Sequence, residues 1–306
     1  MSTVEKVKIG LDECRMLALG VQVLVGFQFH GVFQPRFADL PPSSKMAQIV
    51  GLLLLLASLG ALIVPSTQHI IAERFRATRR IETILTRCLD LSLMPLAAAL
   101  SLDVGVALRT SMDDAFAIAV AAAIFVTALG LWFAWALVAR SSKGIQERKM
   151  AAHRKSEETP LPKQIEQMLT EARTVLPGAQ ALLGFQLTAF LAESFARLSS
   201  GLKVAHVSAL LFVAVTVLLL MTPAAYHRIL YAGEDSQDVL RVGSRTVTFA
   251  TFPLSAALAL DTYVVSAHAL DAPVAAAWIG GVVFCGLTGA WLVYPVLARA
   301  THRTTP

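Results

Sequence analysis

The apolar residues of this chain are gathered into long runs, and its charges are swept into short segments between them. That segregation restricts the fold before any motif is read. A helix crossing a hydrocarbon layer roughly 30 Å thick needs about 20 mostly apolar residues. Eight stretches meet or approach this length: Met16–Phe33, Ala47–Ile70, Leu89–Leu108, Ala115–Ala139, Val175–Ala192, Val204–Tyr226, Val247–Ala267 and Pro273–Ala298. Only 15% of the 306 residues are charged, against about 25% in soluble domains. None of the runs alternates apolar with polar residues, which argues against membrane strands. The expected class is an all-α integral membrane protein. The first and fifth stretches are the shortest and most polar, so they are expected to face protein rather than lipid.

Lys and Arg fix the orientation. With eight spans, 21 of the 26 fall on the side of both termini and the central linker, and five on the other: Arg36, Lys45, Arg109, Arg197 and Lys203. Both termini are therefore expected in the cytoplasm, with Trp132, Trp135, Trp291 and Tyr294 in an aromatic belt at the inner face. This topology accounts for the net charge of +5 and leaves no basic, aromatic-interleaved stretch for nucleic acid. The segment Met1 to Arg15 carries charges of both signs and meets no small-residue cleavage site, so no removable signal is expected. Cys14, Cys88 and Cys285 lack the spacing of a disulfide framework or a zinc site. The expected location is a bacterial inner membrane, multi-pass, with the lipid bilayer as the principal partner.

The chain also repeats itself. A shift of 158 residues superimposes Glu13-x-Arg15 on Glu171-x-Arg173, Gly26-Phe27-Gln28 on Gly184-Phe185-Gln186 and Pro65-x-x-x-His69 on Pro223-x-x-x-His227. The same shift carries Pro95-Leu96 to Pro253-Leu254 and Leu102-Asp103 to Leu260-Asp261. Each half holds four spans, an even number, so both halves start on the same side. The expected architecture is two parallel four-helix repeats, residues 1–140 and 165–306, related by a pseudo-two-fold axis along the membrane normal. Residues 141–164, with many charges and Pro160-Leu-Pro162, read as a cytosolic linker.

These residues carry a resemblance. Ala172-Arg173-x-x-Leu176-Pro177-Gly178-x-Gln180-x-Leu182-x-x-Phe185, followed by Pro223-x-Ala225-Tyr226-His227-Arg228, resembles an uncharacterised family of small bacterial four-span membrane proteins, a domain of unknown function. The match covers most of the second half. It is weaker in the first, where Leu19 stands for Pro177, Gln68 for Tyr226 and Ile70 for Arg228. The resemblance implies single-unit relatives that dimerise, with this chain as a fused version, and it brings no established activity. Members are sometimes labelled sodium/proton antiporters, a label with no mechanism attached.

Polar residues inside the spans are the candidate functional groups. Arg15, Gln22, Gly26 and His30 fall on one helical line, repeated by Arg173, Gln180, Gly184 and Thr188. Such a stripe either lines a pathway or glues helices, glycine allowing close approach and glutamine an interhelical hydrogen bond. Gln28 and Gln186 join it as pathway candidates. Pro65 and Pro223, and Pro95 and Pro253, are expected to kink their helices. His69 and His227, at the inner ends of the second and sixth spans, suit a pH gate or are interfacial side chains. A bis-histidine haem site has no attachment motif to support it, and no cofactor or metal is expected. Asp103 and Asp261 are the sharpest candidates. Asp103 lies about 24 Å beyond Arg87 and some 9 Å short of Arg109 along a helix. A carboxylate at that depth faces protein or a water-filled cavity, or else pairs with Arg36, Arg109 or Arg197. Gly281, Cys285 and Gly289 give the eighth span a small-residue face for close packing.

No phosphate-binding glycine loop, metalloprotease motif or nucleophile elbow is present, so an enzyme is not expected. The expected function is small-ion transport, by a channel or proton-coupled carrier for a cation, with the pathway near the repeat interface. The alternative is a non-transporting scaffold or sensor whose polar residues only hold helices together. A homo-oligomer is compatible with either.

Overall fold

A computed structural model of the protein describes residues 3–109, 112–134, 160–231 and 234–302, and among these there is no strand. The main helices are α1 (Thr3–Gly31), α2 (Pro42–Ile71), α3 (Arg79–Leu108), α4 (Asp114–Leu129), α5 (Leu161–Ala189), α6 (Ser200–Tyr231), α7 (Gln237–Leu270) and α8 (Pro273–Thr288). A π-helical turn follows α4 at Gly130–Ala134 and another follows α8 at Gly289–Val293, after which α9 (Tyr294–His302) continues. Both π turns open on glycine and carry tryptophan two residues on, Trp132 and Trp291.

Helix boundaries follow capping chemistry. The hydroxyl of Thr78 accepts from the Ile81 N–H at 3.3 Å to start α3, and that of Ser236 accepts from Val239 N–H at 3.2 Å to start α7. Each satisfies one of the donors a helix N-terminus leaves bare. The two caps are 158 residues apart, so the sequence repeat extends to local structure. Asp113 caps α4 through the Phe116 N–H. Pro160 precedes α5, which takes in the last four residues of the expected linker; residues 141–159 lie outside the described residues, as does Trp135.

Six helices are long and apolar enough to cross a membrane: α2, α3, α4 with the start of its π turn, α6, α7, and α8 with α9. α1 and α5 are too polar to qualify, yet each has 29 residues and so spans about 43 Å. They lie side by side at the centre. α1 packs on α2, α3 and α5, while α5 packs on α6 and α7. The expectation that the first and fifth stretches face protein therefore agrees with their packing. α4 sits at the periphery, touching α3, with Phe116, Ile118 and Val126 exposed, as is Leu131 in the π turn that follows.

Two details differ from the sequence reading. Trp291 is fully buried rather than in a lipid-facing belt: its indole N–H donates to the Gly60 carbonyl of α2 at 3.0 Å, tying the end of the second half to the first. The Gly281, Cys285 and Gly289 face makes no close packing, since a Cβ at Gly281 or Gly289 would meet nothing within 4 Å and Cys285 is exposed. The close approach is at Gly280, where an added Cβ would lie 2.9 Å from the Ala259 carbonyl oxygen of α7. A run of apolar residues hides such a one-residue rotation of the packed face. Pro65, Pro95, Pro223 and Pro253, the expected kink positions, all lie inside helices that continue through them.

Candidate functional site

The two aspartates inside α3 and α7 are held in the same way. Gln28, three residues before the end of α1, donates its amide N–H to Asp103 Oδ1 of α3. Gln186, three residues before the end of α5, donates to Asp261 Oδ2 of α7 at 2.5 Å. Each partnership spans 75 residues of chain. The donor role fixes each amide's rotation, because a flip would point its oxygen at a carboxylate. It leaves Gln28 Oε1 and Gln186 Oε1 buried with no protein partner. No arginine among the described residues pairs with either aspartate: Arg109 bonds Asp114 and Ser44, and Arg197 bonds Glu193.

The surroundings then diverge. Asp103 and Gln28 line a cavity of about 390 Å³ with Phe27, Gly31, Gln34, Arg36, Phe37 and Gln48 among its walls. Arg36 is exposed in the turn after α1, which puts it at the mouth. Gly51 of α2 backs the pair, where a Cβ would stand 3.0 Å from both Asp103 Oδ1 and Gln28 Nε2. Asp261, in contrast, is 1% exposed. His206 of α6 fills the space beside it, with Nδ1 3.3 Å from Asp261 Oδ1 and Nε2 3.1 Å from the Gln186 carbonyl. The carbonyl can only accept, so Nε2 carries a proton, and a second proton lies between Nδ1 and the carboxylate. Phe33, Phe190 and Phe195 enclose the imidazole at ring distances of 6.1, 5.3 and 5.1 Å. The 158-residue shift places His206 on Gln48 and Ala209 on Gly51. One copy is open and the other is sealed.

A second polar cluster lies where α1 meets α5. Arg15 bonds Glu171 at 2.5 Å and Asp12 at 2.6 Å, with Arg15 and Glu171 7% and 2% exposed. The pair is crossed between motifs: Arg15 comes from the first Glu-x-Arg and Glu171 from the second, while Glu13 and Arg173 are exposed. Nearby, His69 is buried and shares a 3.3 Å contact with Gln167 of α5. The interfacial reading of His69 does not describe this place. His227 lies partly exposed, 3.8 Å from Asp235. Gln22 and Gln68 are buried with both amide atoms unpartnered. Of the expected stripe, Gln22, Gly26 and His30 face α5, but Gln180 and Gly184 are exposed. His30 Nδ1 lies 3.3 Å from Thr188 Oγ1 and Lys8 Nζ 3.5 Å from Glu166, both contacts between residues 158 apart.

The α1–α5 approach depends on Gly26 and Gly178. A Cβ on Gly26 would be 2.8 Å from Phe185 Cε2, and one on Gly178 would be 2.8 Å from Gln22 Cβ. Gly178→Leu is expected to cost about 1–3 kcal/mol by overpacking and to lower the thermal midpoint in detergent. Gly184→Leu, with no atom within 4 Å of its new Cβ, is expected to leave the midpoint unchanged.

The family model described as "Family of unknown function (DUF6328)" matches the chain twice, over residues 7–136 and 154–295. The chain belongs to that family. The DUF6328 unit is present in tandem duplicate, and the two matches contain one Gln–Asp pair each. No curated protein and no solved structure matches the chain. His206 is the DUF6328 residue that sequence reading passed over. The signal was available: the 158-residue shift that pairs His69 with His227 also sets a histidine against Gln48 within an apolar run.

Proposed function

We propose that this protein moves a small cation across a bilayer, with Asp103 as the cation-binding group and the outer cavity as its access. The observation that carries the reading is the carboxylate of Asp103, held by an amide and paired with no arginine among the described residues, in the wall of a cavity. A carboxylate at membrane depth is costly unless it faces water or a counter-charge. Gln28 lies in the last turn of α1, where the helix dipole favours positive charge. Along α1 the buried polar groups continue through Gln22 to the Arg15–Glu171 pair, with His69 and Gln167 beside it. That column follows the contact between the two repeats, and it is the route we assign to the ion or proton. The sealed His206–Asp261 copy then serves the fold.

We read the chain as eight spans, α1 and α5 included, in two parallel repeats with both ends cytoplasmic in a bacterial inner membrane. The contacts Lys8–Glu166 and His30–Thr188 join repeat-equivalent residues, as a pseudo-two-fold axis between α1 and α5 requires. Single cysteines at Ser43 and Ser200 are then expected to label from the same, periplasmic side, and a cysteine at Ser156 from the cytoplasm. Labelling of Ser43 and Ser200 from opposite sides contradicts the parallel arrangement. Purified protein in lipid vesicles is expected to dissipate an imposed gradient of protons, sodium, potassium or an organic cation. Vesicles that hold all of these gradients favour the scaffold or sensor reading.

A further inference from the structure

The sealed copy of the site indicates what the open copy takes. In the second repeat, the place between carboxylate, last-turn carbonyl and aromatic rings is filled by an imidazole that donates N–H to the Gln186 carbonyl and shares a proton with Asp261. In the first repeat, the carboxylate of Asp103, held on one oxygen by Gln28, instead lines an open cavity, with Gln48 at the position that His206 takes in the second. Gln28 is 4% exposed, so the amide that holds Asp103 is buried and the carboxylate belongs to a built site and not to a surface. Phe37, the repeat counterpart of Phe195, lines the cavity with Phe27.

We propose that the Asp103 cavity binds a small planar nitrogen cation of the guanidinium or imidazolium type, and that His206 is its covalently attached counterpart in the second repeat. This rests on the reading of Asp103 as the cation-binding group and specifies the class of cation. Several acceptors arranged beside aromatic rings match a flat, delocalised cation with diverging N–H donors. A bare alkali ion brings no N–H donors to these acceptors. Arg36 at the mouth opposes any cation, so its neutralisation tightens binding, and Gln34 and Gln48 complete the polar wall.

Isothermal titration of the full chain in detergent micelles, with guanidinium at low millimolar concentration as the probe, tests this. Wild type is expected to bind one equivalent. Tetramethylammonium, which has the charge without N–H donors, and sodium are expected not to compete. Asp103→Asn weakens binding roughly ten- to a hundredfold, the loss carried by a charge-assisted hydrogen bond, and Arg36→Gln strengthens it. Gln48→His supplies the imidazole in place and is expected to abolish binding while raising the thermal midpoint. His206→Gln opens the second copy and is expected to double the stoichiometry. Absence of saturable guanidinium binding overturns the proposal, as does unchanged affinity in Gln48→His or equal competition by tetramethylammonium. Should His206→Gln fail to fold, Gln48→His still decides. Guanidinium binding without flux in vesicles would remove the transport reading and leave this one; proton or alkali flux without guanidinium binding would do the reverse.

Discussion

Asp103→Asn is expected to reduce cation flux in reconstituted vesicles to the level of empty vesicles, with insertion and thermal midpoint close to wild type. Asparagine preserves the shape and can still accept from Gln28, but it removes the charge. Asp103 is only partly buried, in a cavity wall, so no charged partner is stranded by the change. Asp261→Asn is expected to behave oppositely. Its carboxylate is enclosed with His206 and Gln186, and losing it breaks a buried charge-assisted contact, which destabilises the fold. The two variants are then distinguished by flux per folded molecule, measured alongside thermal unfolding in detergent. Equal loss of flux from both, with both stable, would place Asp261 in the pathway too. Normal flux in Asp103→Asn would remove this aspartate from transport.

The second large effect belongs to the Arg15–Glu171 pair. Arg15→Leu leaves the Glu171 carboxylate, 2% exposed, without its counter-charge between α1 and α5. Breaking a buried pair from one side costs about 3–5 kcal/mol, whereas replacing both partners by apolar residues is often neutral or stabilising. Arg15→Leu is therefore expected to lower the thermal midpoint strongly, and Arg15→Leu with Glu171→Leu to recover most of it. Glu13→Gln and Arg173→Gln, at the exposed members of the same motifs, are expected to change stability by less than about 0.5 kcal/mol. A double variant as unstable as the single one would show that the pair is not what the contact between α1 and α5 depends on. A recovered double variant without flux would assign the pair a role in the pathway.

The helices, the duplication and the identity of the two aspartates were legible because they rest on runs and on rare residues in register. Hydropathy marks a span wherever apolar residues persist, and Asp103, Asp261, Gln28 and Gln186 stand out against it. Which of them touch was not legible. Gln28 and Asp103 come together because α1 packs on α3, and nothing local to either residue encodes that. The packed side of an all-apolar helix was equally hidden, since Gly280 and Gly281 differ by about 100° of rotation and in no chemical property. The duplication also encouraged an expectation of equivalence that the side chains do not keep. Gln22 is buried and Gln180 exposed, His69 buried and His227 partly exposed, and Asp103 lines a cavity that His206 fills for Asp261. After a repeat is fused, each position meets a different neighbour, and its burial follows the neighbour rather than the ancestry.

The indole of Trp291 meets the backbone of Gly60 across 231 residues of chain. A ribosome adding about 5–20 residues per second makes α2 on the order of tens of seconds before the residue that covers it. During that interval the Gly60 side of α2 has only lipid or an insertion partner against it, and the first repeat waits in an unfinished form. Truncation anywhere before the final span leaves that side permanently bare, so a photo-cross-linker at Ala61 in nascent chains of graded length should capture lipid or an insertion partner until Trp291 has left the exit tunnel. Quality control of this protein is thereby tied to its last segment, and premature termination is marked on a helix synthesised near the beginning.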